Sequence, residues 1–222
     1  MIVMLDGIAW IGEFGNENAA CRGPRMCGAI SLTAARCVEP EEFLVRLGAD
    51  SEQLRCHDMY LERGALALGP DAQHARVAMY GTCGEWLYVL EDWGMATWYA
   101  GHRTVAAIEP LTGEEVVCLT MNTWDPRKLI LHAPGDGRVW QAEFAEDTGR
   151  SSMLDAALRA AGAVLPSVRE APEEEVALYF EEHREEPPTA VFAAVGDYCG
   201  LSIDRAVVEA GELPLVILPS VR

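Results

Sequence analysis

Between Ala75 and Ala145 the apolar residues recur mostly at every second position, whereas from Glu39 up to that stretch and again after Gly149 they recur every three to four. This change of period constrains the fold more than any other feature, because strands and helices each tolerate only their own repeat. Val77 and Met79 alternate with Arg76 and Ala78, Gly81 to Gly84 supply a turn, and Trp86 to Glu91 is a run of strong β formers. Three further strand-like runs follow at Glu115 to Asn122, Lys128 to Ala133 and Arg138 to Ala145. Pro134-Gly135-Asp136-Gly137 joins the last two as a hairpin, with Trp140, Ala142 and Phe144 alternating with Gln141 and Glu143.

Helical signals flank this block. Pro40 suits a first helical turn, Phe43, Leu44 and Leu47 share a face, and Gly48 stops it. A second helix from Ser51 carries Leu54, Met59 and Leu61. A third, capped by Thr97, carries Trp98, Val105 and Ile108 and interrupts the strands. After Gly149 the predicted helices are Met153 to Ala161, Glu173 to Arg184 ended by Pro187-Pro188, one with the stripe Val191, Phe192, Val195 and Tyr198, and a short one from Ser202. Runs of strands bounded by runs of helices predict an α+β fold: an antiparallel meander sheet of about five strands, flanked by helices, with a C-terminal helical segment. Residues 1–37 show little periodicity and many glycines, so they read as an irregular lead segment. Residues 38–222 read as a single domain whose helical tail starts near 151.

The chain has 222 residues, half of them hydrophobic, which is enough to bury a sizeable core. Thirty-five acids against 17 bases give a formal charge of −18. That is the opposite of a phosphate-binding footprint, so nucleic acid is not the expected ligand. Eight Glu and two Arg fall between Arg169 and Glu186, a third of the net charge in one segment, which reads as a solvated helix face or a dock for a basic partner. No apolar run reaches membrane-spanning length and the opening lacks the pattern of an export signal, so a cytoplasmic location is expected. Seven cysteines, odd in number and irregularly spaced, read as reduced thiols.

With the segments laid out, EEFLVRLGAD (41–50), GEWLYVLEDWG (84–94), EVVCLTMNTW (115–124) and GLSIDRAVVEAGELPLVIL (200–218) together resemble an actinobacterial family catalogued only as a domain of unknown function. The resemblance spans roughly residues 41–218. It implies a shared fold, and it carries no activity, cofactor or catalytic residue with it.

Few of the chain's motifs carry recognisable chemistry. There is no phosphate-cradling glycine loop, GxSxG elbow, HExxH or calcium loop. Cys21, Cys27, Cys37 and the pair Cys56-His57 have poor spacing for zinc, which favours close ligand pairs, so no metal is expected. Cys83 or Cys118 could meet His102 or His132 as a nucleophilic pair, but Cys118 lies in an apolar run that suits a packed thiol. The adjacent carboxylates Glu91-Asp92 and Glu114-Glu115 would point apart on a strand and read as strand-end solvation. Five of six tryptophans fall between Trp86 and Trp140. Trp86 and Trp140 suit the core, while Trp93 and Trp124 stand at strand ends beside Asp92 and Asp125, where an exposed aromatic flanked by acids makes a recognition surface. The expected function is a non-enzymatic, acidic protein-interaction module, of inhibitor, immunity or regulatory type, with no cofactor and a basic or mixed protein partner. An enzyme with an unrecognised acid or thiol site, or a small-ligand sensor, is the alternative.

Overall fold

A computed structural model describes residues 7–14, 29–50, 75–92, 94–99, 112–122, 128–164, 178 and 186–219. In chain order they form α1 (Ala9–Glu13), β1 (Ile30–Arg36), α2 (Pro40–Arg46), β2 (Ala75–Cys83), β3 (Trp86–Glu91), β4 (Glu115–Met121), β5 (Leu129–Ala133), β6 (Trp140–Glu143), α3 (Met153–Ala160), α4 (Glu186–Cys199), α5 (Arg205–Ala210) and β7 (Leu215–Pro219). The strands make one sheet in the order β6-β5-β4-β1-β3-β2-β7. Every neighbouring pair is antiparallel. The fold is therefore α+β with an antiparallel sheet, and all five expected strands are present.

The sheet has seven strands rather than about five, and both additions lie where no strand was expected. Ile30–Arg36 belongs to the stretch read as an irregular lead, yet β1 is the central strand, paired with β3 and β4. Its first six residues are all buried. A strand covered on both faces needs no polar alternation, so ISLTAAR carries none of the period-two signal that marked its neighbours. The lead also holds α1, whose Trp10 and Ile11 are buried. Leu215–Pro219, read as the end of a helical tail, pairs with β2 as an edge strand.

Apolar layers cover both faces. On one side Ile30, Leu32, Val117, Leu119 and Tyr88 meet α1, α3, α4 and α5 through Ile11, Leu158, Val191, Phe192, Val195 and Val208. On the other, Val89, Val116, Cys118 and Leu131 meet Phe43, Leu44 and Leu47 of α2 together with Trp98 and Tyr99. We call these the α4 face and the α2 face. Alternating strand residues feed the two layers, as the two-residue repeat demands.

Local chemistry explains the element ends. Pro40 starts α2, Ser152 Oγ accepts the Asp155 N–H to cap α3, and the Asp204 side chain caps α5 by accepting from the Ala206 and Val207 N–H groups. Gly84 opens the two-residue turn between β2 and β3 at φ 58°, a value that costs glycine little. Pro187 and Pro188 stand in the first turn of α4, where the missing N–H costs nothing; the helix they are expected to end lies, apart from Leu178, outside the described residues. Of the Glu-rich helix only Leu178 is described, helical and exposed. Its expected inward residues Val176, Tyr179 and Phe180 lie outside the described residues, as do the predicted helix from Ser51 and most of the one from Thr97.

Candidate functional site

Register brings chemistry together at one end of the sheet. Arg36 of β1 is paired with Trp86 of β3 on one side and Glu115 of β4 on the other. One row along, Val117 is paired with His132 of β5, and His132 with Trp140 of β6. Residues directly across and two along share a face, so Trp86, Arg36, Glu115, His132 and Trp140 form one strip across five strands on the α4 face. The last turn of α4 lays Tyr198 over it, edge-on to both Trp86 and His132.

Glu115 is the hub of this strip. Its Oε1 accepts from His132 Nε2 at 2.9 Å and from the Tyr198 hydroxyl at 2.5 Å, and Arg36 ion-pairs with Oε2. Burial works to raise the carboxyl pKa, but the hydrogen bonds from His132 and Tyr198 and the charge of Arg36 outweigh it and hold the pKa below the usual carboxylate range. A charged Glu115 only accepts, so His132 Nε2 carries a proton. Tyr198 is pushed the other way, well above an ordinary phenol, first by burial and then by its bond to Glu115, and it stays a donor. The Arg36 guanidinium sits over the Trp86 ring, 5.2 Å from its centroid.

Beyond His132 the strip opens into a cleft between β6 and α3. Its apolar wall is Ile130, Leu154 and Leu158, and its polar rim includes His132, Thr148, Arg150 and Asp155. Arg150 covers the half-buried Trp140 ring at 4.4 Å from its centroid.

The residues singled out in the sequence are placed differently. Asp92 is half-buried at the end of β3. Trp93, Trp124 and Asp125 lie outside the described residues. Trp86 is buried as expected, and Trp140 is half-buried. Cys118 and His132 face opposite sides of the sheet, because Cys118 pairs with Leu131 and His132 with Val117. Cys118 is instead 3.3 Å from Thr33 Oγ1, and burial pushes its thiol up to about 12, so it is not a poised nucleophile. Cys83 donates to the Ser202 carbonyl at 3.2 Å. His102 is outside the described residues, and of the zinc ligands considered only Cys37 is inside them. Cys37, Cys83, Cys118 and Cys199 are free thiols. No cluster of metal-ligating side chains occurs among the described residues.

The strand-end carboxylates require a correction. Glu114 and Glu115 do point apart, but neither is solvated: Glu114 forms a two-pronged pair with Arg46 of α2, at 2.6 and 2.8 Å, and Glu115 is buried beneath α4. Glu91 is buried as well, accepting from the Thr97 N–H and hydroxyl, both at 2.8 Å. Burial raises its pKa to about 7 against those two bonds. Antiparallel arithmetic on the β4 and β5 runs would have brought Glu115 and His132 near one another. Arg36 carries no such signal, since ISLTAAR lacks the two-residue alternation of a half-buried strand.

No protein-family model, curated protein or solved structure matches this chain. Among the described residues no helix is long and apolar enough to cross a membrane.

Proposed function

We propose that this chain is a non-enzymatic, acidic protein-interaction module of the cytoplasm that binds a basic protein, in an inhibitory, immunity or regulatory role. The observation that carries the reading is the surplus of acid, 35 residues against 17 bases. Exposed Glu39, Glu41 and Glu42 at the start of α2 and Glu85 at the β2–β3 turn present that surplus to solvent. Such a field attracts basic surfaces and repels nucleic acid and anionic membranes. The strip at the sheet end fits a structural role: Glu115 is committed to three internal partners, and the buried Cys118 thiol is held protonated.

The contact surface we assign to Asp92, Trp93, Trp124 and Asp125, two aromatic anchors with acids beside them. Kinship with the actinobacterial family of unknown function belongs to the same proposal. The test is co-purification from the native cell, followed by affinity measurement with the recovered partner. A basic protein released by salt, whose affinity falls by about 2 kcal/mol or more in Trp93→Ala or Trp124→Ala while the melting temperature holds, supports the reading. A partner bound equally well at high salt, or tryptophan variants that unfold without changing the affinity of the folded fraction, overturns it.

A further inference from the structure

We infer that the cleft between β6 and α3 binds a small carboxylate, received by the Arg150 guanidinium on its Trp140 platform. The charges around the cleft differ in how they are used. Asp155 accepts from the Thr148 hydroxyl at 2.9 Å and from the Ser152 hydroxyl, and Glu146 accepts the Glu143 N–H at 2.8 Å. These two acids are therefore engaged by local donors. Arg150 is not so engaged: its backbone N–H reaches Thr148 Oγ1 at 3.2 Å, but its guanidinium has the Trp140 ring alone, with no carboxylate in ion-pair range among the described residues. Arg36, Arg46, Arg159 and Arg205 each hold a carboxylate. In so acidic a chain, a stacked guanidinium left with its fork of donors open is a preformed anion receptor.

Size and charge narrow the ligand. The free space in the cleft is about 30 Å3, room for roughly two waters. A carboxylate group is of that size and would meet the guanidinium fork in the two-pronged geometry it favours, the rest of the ligand lying toward the open side of the cleft. Ile130, Leu154 and Leu158 give a short apolar stub somewhere to lie. A phosphate dianion fits worse, since the carboxylates of Glu146 and Asp155 line the same cleft and repel two charges about twice as strongly as the single charge of a carboxylate, against the same one guanidinium.

The full chain, labelled with 15N, would be titrated with propionate, inorganic phosphate and propylamine while the Trp140 indole N–H signal is followed. Propionate is expected to shift that signal saturably, with phosphate weaker and propylamine inert. Arg150→Gln should weaken propionate by about tenfold or more. Arg150→Lys, which keeps the charge but not the fork, should weaken it as well, both with an unchanged melting temperature. An unsaturable response to propionate, an equal response to propylamine, tighter binding of phosphate, or unchanged affinity in folded Arg150→Gln or Arg150→Lys overturns the assignment.

Discussion

At the scale of single residues, two buried glutamates should respond to pH in opposite directions. Glu115 has a folded pKa below its ordinary value, so its contribution to stability is complete above the ordinary carboxylate range and disappears as pH falls through the folded value. Glu115→Gln removes the counter-charge of Arg36. Breaking a fully buried pair costs about 3 to 5 kcal/mol, but solvent screens part of this one, so about 2 to 3 kcal/mol is expected near neutral pH. Denaturant unfolding should show that gap closing in strong acid. Glu91 behaves in reverse. Its pKa rises from 4.5 to about 7, so the folded state holds the proton more tightly than the unfolded chain, and stability falls as pH climbs across that window and then levels. Glu91→Gln can still accept the Thr97 N–H and should flatten this slope, making the variant more stable than the parent at mildly alkaline pH. A parent whose stability rises between those two pH values would contradict the burial of Glu91.

The elements are held by close backbone approach as much as by apolar area. Gly12 of α1 lies against α4 so tightly that an added Cβ would fall 2.5 Å from the Thr189 Cα, and one on Gly196 of α4 would fall 2.7 Å from Ile8. The first gap, against backbone, admits no methyl group without moving a helix; the second requires the Ile8 side chain to shift. Gly12→Ala, harmless by helix propensity, should therefore destabilise by about 1 to 3 kcal/mol in urea unfolding, with the Gly149→Ala control reporting strain at a positive φ where nothing stands within 4 Å. Elements also decide what could be read from the sequence. β2, β3 and the β5–β6 hairpin were legible because one period and one turn chemistry agree along each. α2 was legible because Pro40, the Phe43-Leu44 face and Gly48 all point to the same seven residues. β1 was not, since Ser31 and Thr33 are polar yet buried, at 0% and 1% exposure, and a central strand announces itself only through partners distant in the chain. The strip around Glu115 inherited that blindness. Its members come from five strands and one helix, and no local window holds more than two of them.

At the scale of the whole molecule, net charge sets the response to salt. A formal charge of −18 on 222 residues leaves a net repulsion among the acids, and folding brings them closer than the unfolded chain does. Opposing this are surface ion pairs such as Arg159–Asp147 at 2.8 Å and the Arg205 pairs with Glu13 and Glu209, at 2.7 and 2.9 Å. Exposed pairs of this kind contribute about 0 to 1 kcal/mol each, and salt weakens them too. The two effects have opposite signs, and the count decides between them: acids exceed bases by 18, so repulsion is the larger quantity that salt removes. Raising ionic strength from about 0.01 M to about 0.1 M shortens the Debye length from roughly 30 Å, the span of a small domain, to roughly 10 Å. The melting temperature should therefore rise over that interval, most steeply at its lower end. Sodium chloride and sodium fluoride should act alike, since screening depends on ionic strength, whereas anion occupancy of a site would distinguish them. The same screening should slow association with a basic partner. A melting temperature that falls with added salt would mean that the ion pairs outweigh the repulsion, and that the acids are arranged around cations more favourably than their number implies.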